Sequence, residues 1–238
     1  MKPISYVICA AGKGLRFREH GIKKPKSMID LNGKSMLERS IQSLQLRSID
    51  QLIIISIKSD FLPLNFPSIN CHWLEIEATT KGQLDTFLLA KDIIQYEDIV
   101  IYNCDTFFTS PDLLNLIQSD RYVGIIPCSV QPGDCWSFCQ VDSQFNVLNV
   151  AEKERISEWA SVGFYYFRGK DLLLNLAEVE CRSNQGKESY VAPLYNRYLA
   201  RGLKIQLALV DTFLPFGTID QVKQYWNISI EELISQNN

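Results

Sequence analysis

Three short, unbroken apolar runs constrain the fold most: ISYVICAA at 4–11, LIIISI at 52–57 and DIVIYN at 98–103. Each has the length of a strand and lacks a polar face, so each reads as a strand covered on both sides of a sheet. Between them lie segments with helical spacing. Met36, Leu37, Ile41 and Leu44 mark a helix over 36–46, and a second is expected over 83–95. Pro63, Pro67 and Ser68 mark a loop, with a short strand at 71–74 after it. Strands alternating with helices imply an α/β fold with a doubly wound, mostly parallel sheet. The later part of the chain is different. Short strands are expected at 138–141, 147–150, 162–167 and 204–210, with helices at 190–201 and 219–234. We read the first three strands as antiparallel additions and this whole half as an extension of the same sheet, giving one domain over residues 1–238.

Open α/β sheets bind ligands beyond the C-terminal ends of their strands. Two polar constellations fall there. After the first strand comes Ala10-Ala11-Gly12-Lys13-Gly14-Leu15-Arg16-Phe17, then Pro25-Lys26. Glycines let backbone N–H groups approach phosphate oxygens, and successive N–H groups form an anion nest. Arg16 and Lys26 add cations. A dinucleotide fingerprint would need glycine at Phe17, and a P-loop ending at Gly33-Lys34-Ser35 would need glycine at Met28. The second constellation is Asp105, after the 98–103 strand. A carboxylate there suits Mg²⁺, which takes one or two carboxylates alongside phosphate oxygens. The plainer alternatives are a glycine-rich surface turn, an N-cap or turn aspartate at Asp105, and a simple turn at Gly82. For the tetrad Glu152-Lys153-Glu154-Arg155 the alternative is a solvated charge run.

The formal net charge of -3 argues against a nucleic-acid partner. No apolar stretch approaches the ~20 residues of a membrane helix, and no leader is visible, so a soluble cytoplasmic protein is expected. Seven cysteines without a CxxC pair, beside two histidines, point to reduced thiols rather than a zinc site. Cys9 and Cys104, inside apolar runs, read as small core residues.

In order and spacing, Gly12, Gly14, Arg16, Pro25 and Lys26 resemble the opening of the sugar nucleotidylyltransferases, or NDP-sugar pyrophosphorylases. The resemblance continues through Gly82, Asp105, the Glu152-Lys153 pair and Gly163. It implies a Rossmann-like, GT-A-type nucleotidyltransferase fold in which residues 1–130 mainly bind NTP and 131–238 mainly bind the acceptor. The implied nucleotide-binding residues are Ala10, Ala11, Gly12, Lys13, Gly14 and Gly82. The implied catalytic residues are Arg16, Lys26 and Asp105, with Asp105 holding Mg²⁺. The implied acceptor-binding residues are Glu152, Lys153 and Gly163. One departure stands out. Where members of the family read D-x-G-T and place a second metal aspartate, this sequence has Pro215-Phe216-Gly217-Thr218. Either Asp105 serves alone, or Asp211 or Asp220 substitutes.

The expected reaction joins an NTP, with CTP or UTP favoured, to a sugar phosphate or similar small phosphomonoester. Pyrophosphate leaves, and the product would feed surface-polysaccharide precursor synthesis. The partners are then NTP and a small phosphorylated acceptor, without nucleic acid or membrane, and the oligomeric state stays open. Two rivals remain. One is a nucleotide-sugar-dependent glycosyltransferase, whose D-x-D pair is missing at Asp105-Thr106-Phe107. The other is a catalytically silent sugar-nucleotide-binding or regulatory subunit, kept alive by Pro215.

Overall fold

The computed structural model describes residues 1–58, 64, 66–183 and 187–238. Pro63 lies outside the described residues. In chain order the elements begin β1 (Ile4–Cys9), α1 (Leu15–Arg18), α2 (Met36–Gln42), β2 (Gln51–Ile57), β3 (Asn70–Ile76), α3 (Gln83–Leu88) and β4 (Asp98–Asn103). Next come β5 (Thr106–Thr109), α4 (Leu113–Gln118), β6 (Gly124–Val130), β7 (Ser137–Val141), β8 (Val147–Glu152), β9 (Trp159–Ser161) and β10 (Phe164–Arg168). The chain ends with α5 (Lys170–Ser183), α6 (Leu194–Leu199), β11 (Ile205–Leu209), β12 (Thr212–Pro215), α7 (Ile219–Trp226) and α8 (Ile230–Asn237).

Ten strands form one sheet, ordered β3-β2-β1-β4-β10-β6-β9-β7-β8 with β11 beside β6. The strands β1 to β4 are mutually parallel, as the apolar runs required. The strands β7 to β10 are antiparallel additions. Alternation along β1 explains why the run is continuous. Val7 packs into the core on one face of the sheet, and Tyr6 and Ile8 into the core on the other. Both faces are therefore dry, and the strand is apolar except at Ser5, whose buried hydroxyl donates to Gln51 Oε1 at 2.8 Å. A third apolar cluster joins Phe17, Leu31 and Met36 to Phe216, Val222 and Leu233. It fastens the loop after β1 to the terminal helices.

The helix α2 starts where its sequence predicts. Ser35 accepts from the Glu38 N–H while the Glu38 carboxylate accepts from the Ser35 N–H, a reciprocal cap worth about 1 kcal/mol. Several expectations need correcting. The helix expected over 83–95 stops being α-helical at Leu88, and the one over 190–201 is confined to Leu194–Leu199. The terminal helix is two helices, because Asn227 takes the left-handed conformation at φ 53° and closes the first as its C-cap. The strand expected over 162–167 begins two residues later, as β10, and Val162 and Gly163 form a break between it and β9.

That last break shapes the site. The strands β9 and β10 run antiparallel to the same edge of β6, with a register shift between Ser161↔Cys128 and Tyr166↔Ile125. On their opposite edge, β10 pairs with β4 while β9 pairs with β7. The sheet therefore forks at Val162 and Gly163. The fork opens beside the C-terminal end of β4, where the loops after β1 and β4 also emerge.

Candidate active site

Past Cys9 the chain leaves the sheet with one last ladder bond, Ala10 N–H to the Ile55 carbonyl at 2.8 Å. From Ala11 through Arg16 no backbone N–H donates to a described residue, until Phe17 donates to the Gly14 carbonyl at 3.0 Å. Consecutive unsatisfied N–H groups are what an anion would fill. Gly14 has φ 61°, and a Cβ on it would sit 3.0 Å from the Lys26 Cβ. Glycine there lets the loop lie flat against Lys26. The Arg16 and Lys13 side chains form no hydrogen bond or ion pair with a described residue.

Lys26 opens a single 3₁₀ turn after Pro25, and its ammonium lies 2.5 Å from the Asp105 carboxylate. Both side chains are about one-fifth exposed, at 20% and 22%. Burial acts to lower the Lys26 pKa, but the charge and hydrogen bond of Asp105 outweigh it and hold it above the ordinary lysine value. Asp105 turns the chain from β4 into β5. The strand β5 pairs with β12 in a separate two-stranded sheet, and the Phe216 N–H donates to the Asp105 carbonyl at 3.0 Å. That pairing brings Gly217 so close that a Cβ there would lie 2.9 Å from Asp105 Oδ2. Pro215 faces the cleft where the family places its second aspartate. Asp211 and Asp220 are exposed and do not line it; Gln221 does. Among the described residues no group of three His, Cys, Asp or Glu side chains gathers as a metal cage.

Glu152 ends β8 and accepts a short hydrogen bond from the Ser137 hydroxyl. Its burial raises the carboxyl pKa above the ordinary glutamate value, a shift that Ser137 and Lys153 partly oppose. Lys153 sits at φ 54°, with its N–H bonded to the Trp136 carbonyl at 2.9 Å. Its ammonium donates to the Tyr190 hydroxyl at 2.6 Å and lies 3.8 Å from Glu188, to which Tyr190 also donates. Arg155 is exposed but tethered. It bonds Asp134 at 2.8 Å and the carbonyls of Gln131 and Gly133, and stacks over Phe138, so it pins the loop before β7.

Two glycines owe their identity to close packing. Gly163 has φ 83°, and a Cβ there would meet Asn103 Nδ2 at 2.2 Å. Asn103 is held by Gln83, whose amide donates to its carbonyl at 2.7 Å. A Cβ on Gly82 would lie 2.5 Å from the Ser189 nitrogen and 2.6 Å from its oxygen.

One cleft of about 670 Å³ gathers these groups. Ala10, Ala11, Gly12, Lys13, Arg16 and Lys26 line it, as do Gly82, Asp105, Glu152, Lys153 and Gly163. Gly14 does not; it backs the loop from behind. Sequence reasoning missed Gln83, Asn103, Ser137, Glu188, Tyr190 and Gln221, which share the same lining. Cys9 and Cys104 also border it. Burial raises both thiols, Cys104 to about 12, so they stay protonated at neutral pH and are poor nucleophiles.

The loop after β1, with its consecutive unbonded N–H groups, and Asp105 meet at the C-terminal end of the parallel strands. Residues 6–138 match the MobA-like NTP transferase domain, and the chain belongs to that family. The bifunctional protein GlmU of Methanococcus aeolicus is 25% identical over 218 residues, covering 90% of this chain and 52% of that protein. The chain thus spans about half the length of that curated relative. Among solved structures, a nucleoside-diphosphate-sugar pyrophosphorylase from Vibrio cholerae RC9 superposes with a TM-score of 0.77 at 24% identity, covering 93% of this chain and 99% of its own. An inositol-1-phosphate CTP transferase from T. maritima superposes at 0.75 with 11% identity, covering 99% and 96%. Likeness at these identities establishes the fold. No helix among the described residues is long and apolar enough to cross a membrane.

Proposed function

We propose that this nucleotidyltransferase joins a pyrimidine NTP, CTP or UTP, to a small phosphomonoester such as a sugar phosphate and releases pyrophosphate. The product would be an activated building block, of the kind surface-polysaccharide synthesis consumes. The observation that carries this reading is the single cleft with the loop of 10–16, Lys26 and Asp105 at one end and Glu152 and Lys153 at the other. The preference for a pyrimidine draws support from the CTP-using structural relative.

The acceptor phosphate is already an anion, so it needs no general base to attack the α-phosphorus. What the site must supply is in-line positioning and offsetting of negative charge. Backbone N–H groups of the loop, Arg16 and Lys26 would receive the triphosphate, and Lys153 the acceptor phosphate. Glu152 would accept from acceptor hydroxyl or amine groups, and Gly163 leaves room beside it. Asp105 fits Mg²⁺: it is a lone carboxylate at the cationic end, and Mg²⁺ commonly takes one carboxylate with phosphate oxygens and waters. When bound, the ion would neutralise charge on the transferring phosphates. Pro215 is the observation behind a catalytically silent, binding-only reading. A glycosyltransferase reading lacks a second carboxylate, since Thr106 and Phe107 pass directly into β5. Pyrophosphate release across a panel of NTPs and phosphomonoesters tests all three. Release that needs both substrates supports transfer. Tight binding with no release supports the silent reading.

A further inference from the structure

At the β1-loop end of the cleft, Asp105 is the one carboxylate among the described lining residues. Pro215, across the β5–β12 ladder from Thr106, offers that end no side-chain oxygen. A side chain of α7 approaches the same point. A Cβ built on Gly217 would lie 2.9 Å from Asp105 Oδ2 and 3.4 Å from the Gln221 amide oxygen. Gly217 is not glycine for the sake of its torsion, since its φ lies outside the left-handed region. Its bare backbone keeps clear a space that a carboxylate oxygen and an amide oxygen both border.

Local structure leaves the Gln221 amide unspent. The Thr218 hydroxyl caps α7 by accepting from the Gln221 N–H at 3.2 Å. In a full capping box the residue at this position also reaches back to the N-cap N–H, as Glu38 does to Ser35 at the start of α2. The Gln221 side chain makes no such bond, nor any other hydrogen bond with a described residue, and it lines the cleft instead. Other side-chain oxygens beside Asp105 are engaged. The Thr106 hydroxyl donates to the Val162 carbonyl at 3.0 Å, and the Asn103 oxygen accepts from Gln83 at 2.7 Å. A neutral amide oxygen is a hard donor, and carbonyl oxygens join carboxylates and water among the ligands that suit Mg²⁺ and Mn²⁺.

Resting on the nucleotidyl-transfer reading above, in which Asp105 holds Mg²⁺, we propose that Gln221 supplies the second protein oxygen to that ion. The protein then gives the metal one negative ligand and one neutral one. Such a site depends on the nucleotide phosphates for the rest of the charge, so it takes up the ion together with the NTP rather than ahead of it.

The test reads binding rather than turnover. Calorimetric titration with CTP and UTP analogues carrying a methylene between the α- and β-phosphorus is run in EDTA and again in saturating Mn²⁺. The ratio of the two affinities is the factor by which metal tightens nucleotide, and by linkage the factor by which nucleotide tightens metal. Gln221→Met keeps the length of the side chain without its oxygen. It should cut that factor roughly tenfold, the low end for losing a partner at a metal site, and leave the affinity in EDTA unchanged. Gln221→Glu, which puts a charged oxygen in the same place, should enlarge the factor. Gln221 is partly exposed, and equal melting temperatures would verify that both variants fold. A factor unchanged in Gln221→Met overturns the proposal. So does Gln221→Glu binding more weakly both with Mn²⁺ and in EDTA, which would make the amide a donor to phosphate. Either result leaves the nucleotidyl-transfer reading in place. Wild-type protein that binds neither analogue, with or without Mn²⁺, would bring down both.

Discussion

Gly82→Ala separates two accounts of one residue. Family resemblance puts Gly82 against the base and ribose of the nucleotide. The structure gives it a different neighbour, the Ser189 backbone, which a Cβ would approach to 2.5 Å and 2.6 Å where ordinary contact is 3.4–4 Å. The backbone of Gly82 is extended at φ -177°, so alanine adds no torsional strain and the whole effect is steric. Either α3 or the strip around Ser189 must then retreat by about 1 Å. Overpacking of this kind costs about 1–3 kcal/mol. For a chain of this length each 1 kcal/mol lowers Tm by about 2–4 °C, so a fall of roughly 2–12 °C is expected. Ser189 carries Glu188 and Tyr190, so the kinetic damage should fall on the acceptor. Misplacement by about 1 Å commonly costs about 10²-fold in rate. Pyrophosphate release should be measured twice, varying acceptor at saturating NTP and then NTP at saturating acceptor. The expected result is a large loss in kcat/KM for acceptor with a small change for NTP. An unchanged Tm, or a loss confined to NTP, would refute the packing argument and return Gly82 to the nucleotide.

Lys26→Ala should lower kcat by about 10²-fold or more, the usual consequence of losing a charge aimed at the transition state. The melting temperature should hardly move, because a partly exposed ion pair contributes at most about 1 kcal/mol. Activity should vanish in excess EDTA and return with Mg²⁺. Asp105→Asn should raise the Mg²⁺ concentration for half-maximal rate, and metal-activation curves that coincide with wild type would remove Asp105 from the metal. Burial raises the Glu152 pKa in the fold, so keeping that group ionised above this pKa costs stability, a penalty absent at acid pH. Glu152→Gln should therefore raise Tm at neutral pH, lose that advantage as pH falls into the ordinary glutamate range, and still weaken the acceptor KM. Thermal melts at pH 4 and pH 7 beside acceptor kinetics would check the pair.

The parts of this structure that the sequence revealed are those whose cause is local. The strands β1, β2 and β4 are legible because burial on both faces leaves an unbroken apolar run. The loop after β1 is legible because glycines, cations and strand end lie within a few residues. The fork at Gly163 hid inside another apolar run, since both sides of the break are buried and composition does not register a change of partner strand. The strands β5 and β12 are four residues each, and only their pairing across a hundred positions makes them a sheet. The break between α7 and α8 turns on one left-handed residue within a helical pattern. At the site, Ser137 and Glu188 escaped notice because they reach the cleft from distant parts of the chain, and Asn103 because it closes an apolar run. Gly82 and Gly163 were picked out by resemblance alone, and the pressure on them from Ser189 and Asn103 is a tertiary fact.

The change of partner at Gly163 has a consequence for how such a chain can diversify. The strands β1 to β4 carry the glycine-rich loop and Asp105, while β7 and β8 carry Ser137, Glu152 and Lys153, and among the described residues the two groups share no ladder with each other. They are joined through β6, β9 and β10, as two blades are joined at a pivot. Side chains on the β7–β8 blade can therefore be exchanged without disturbing hydrogen bonds beneath the loop of residues 10–16. A descendant could take up a new acceptor through a handful of substitutions on that blade and inherit its chemistry intact.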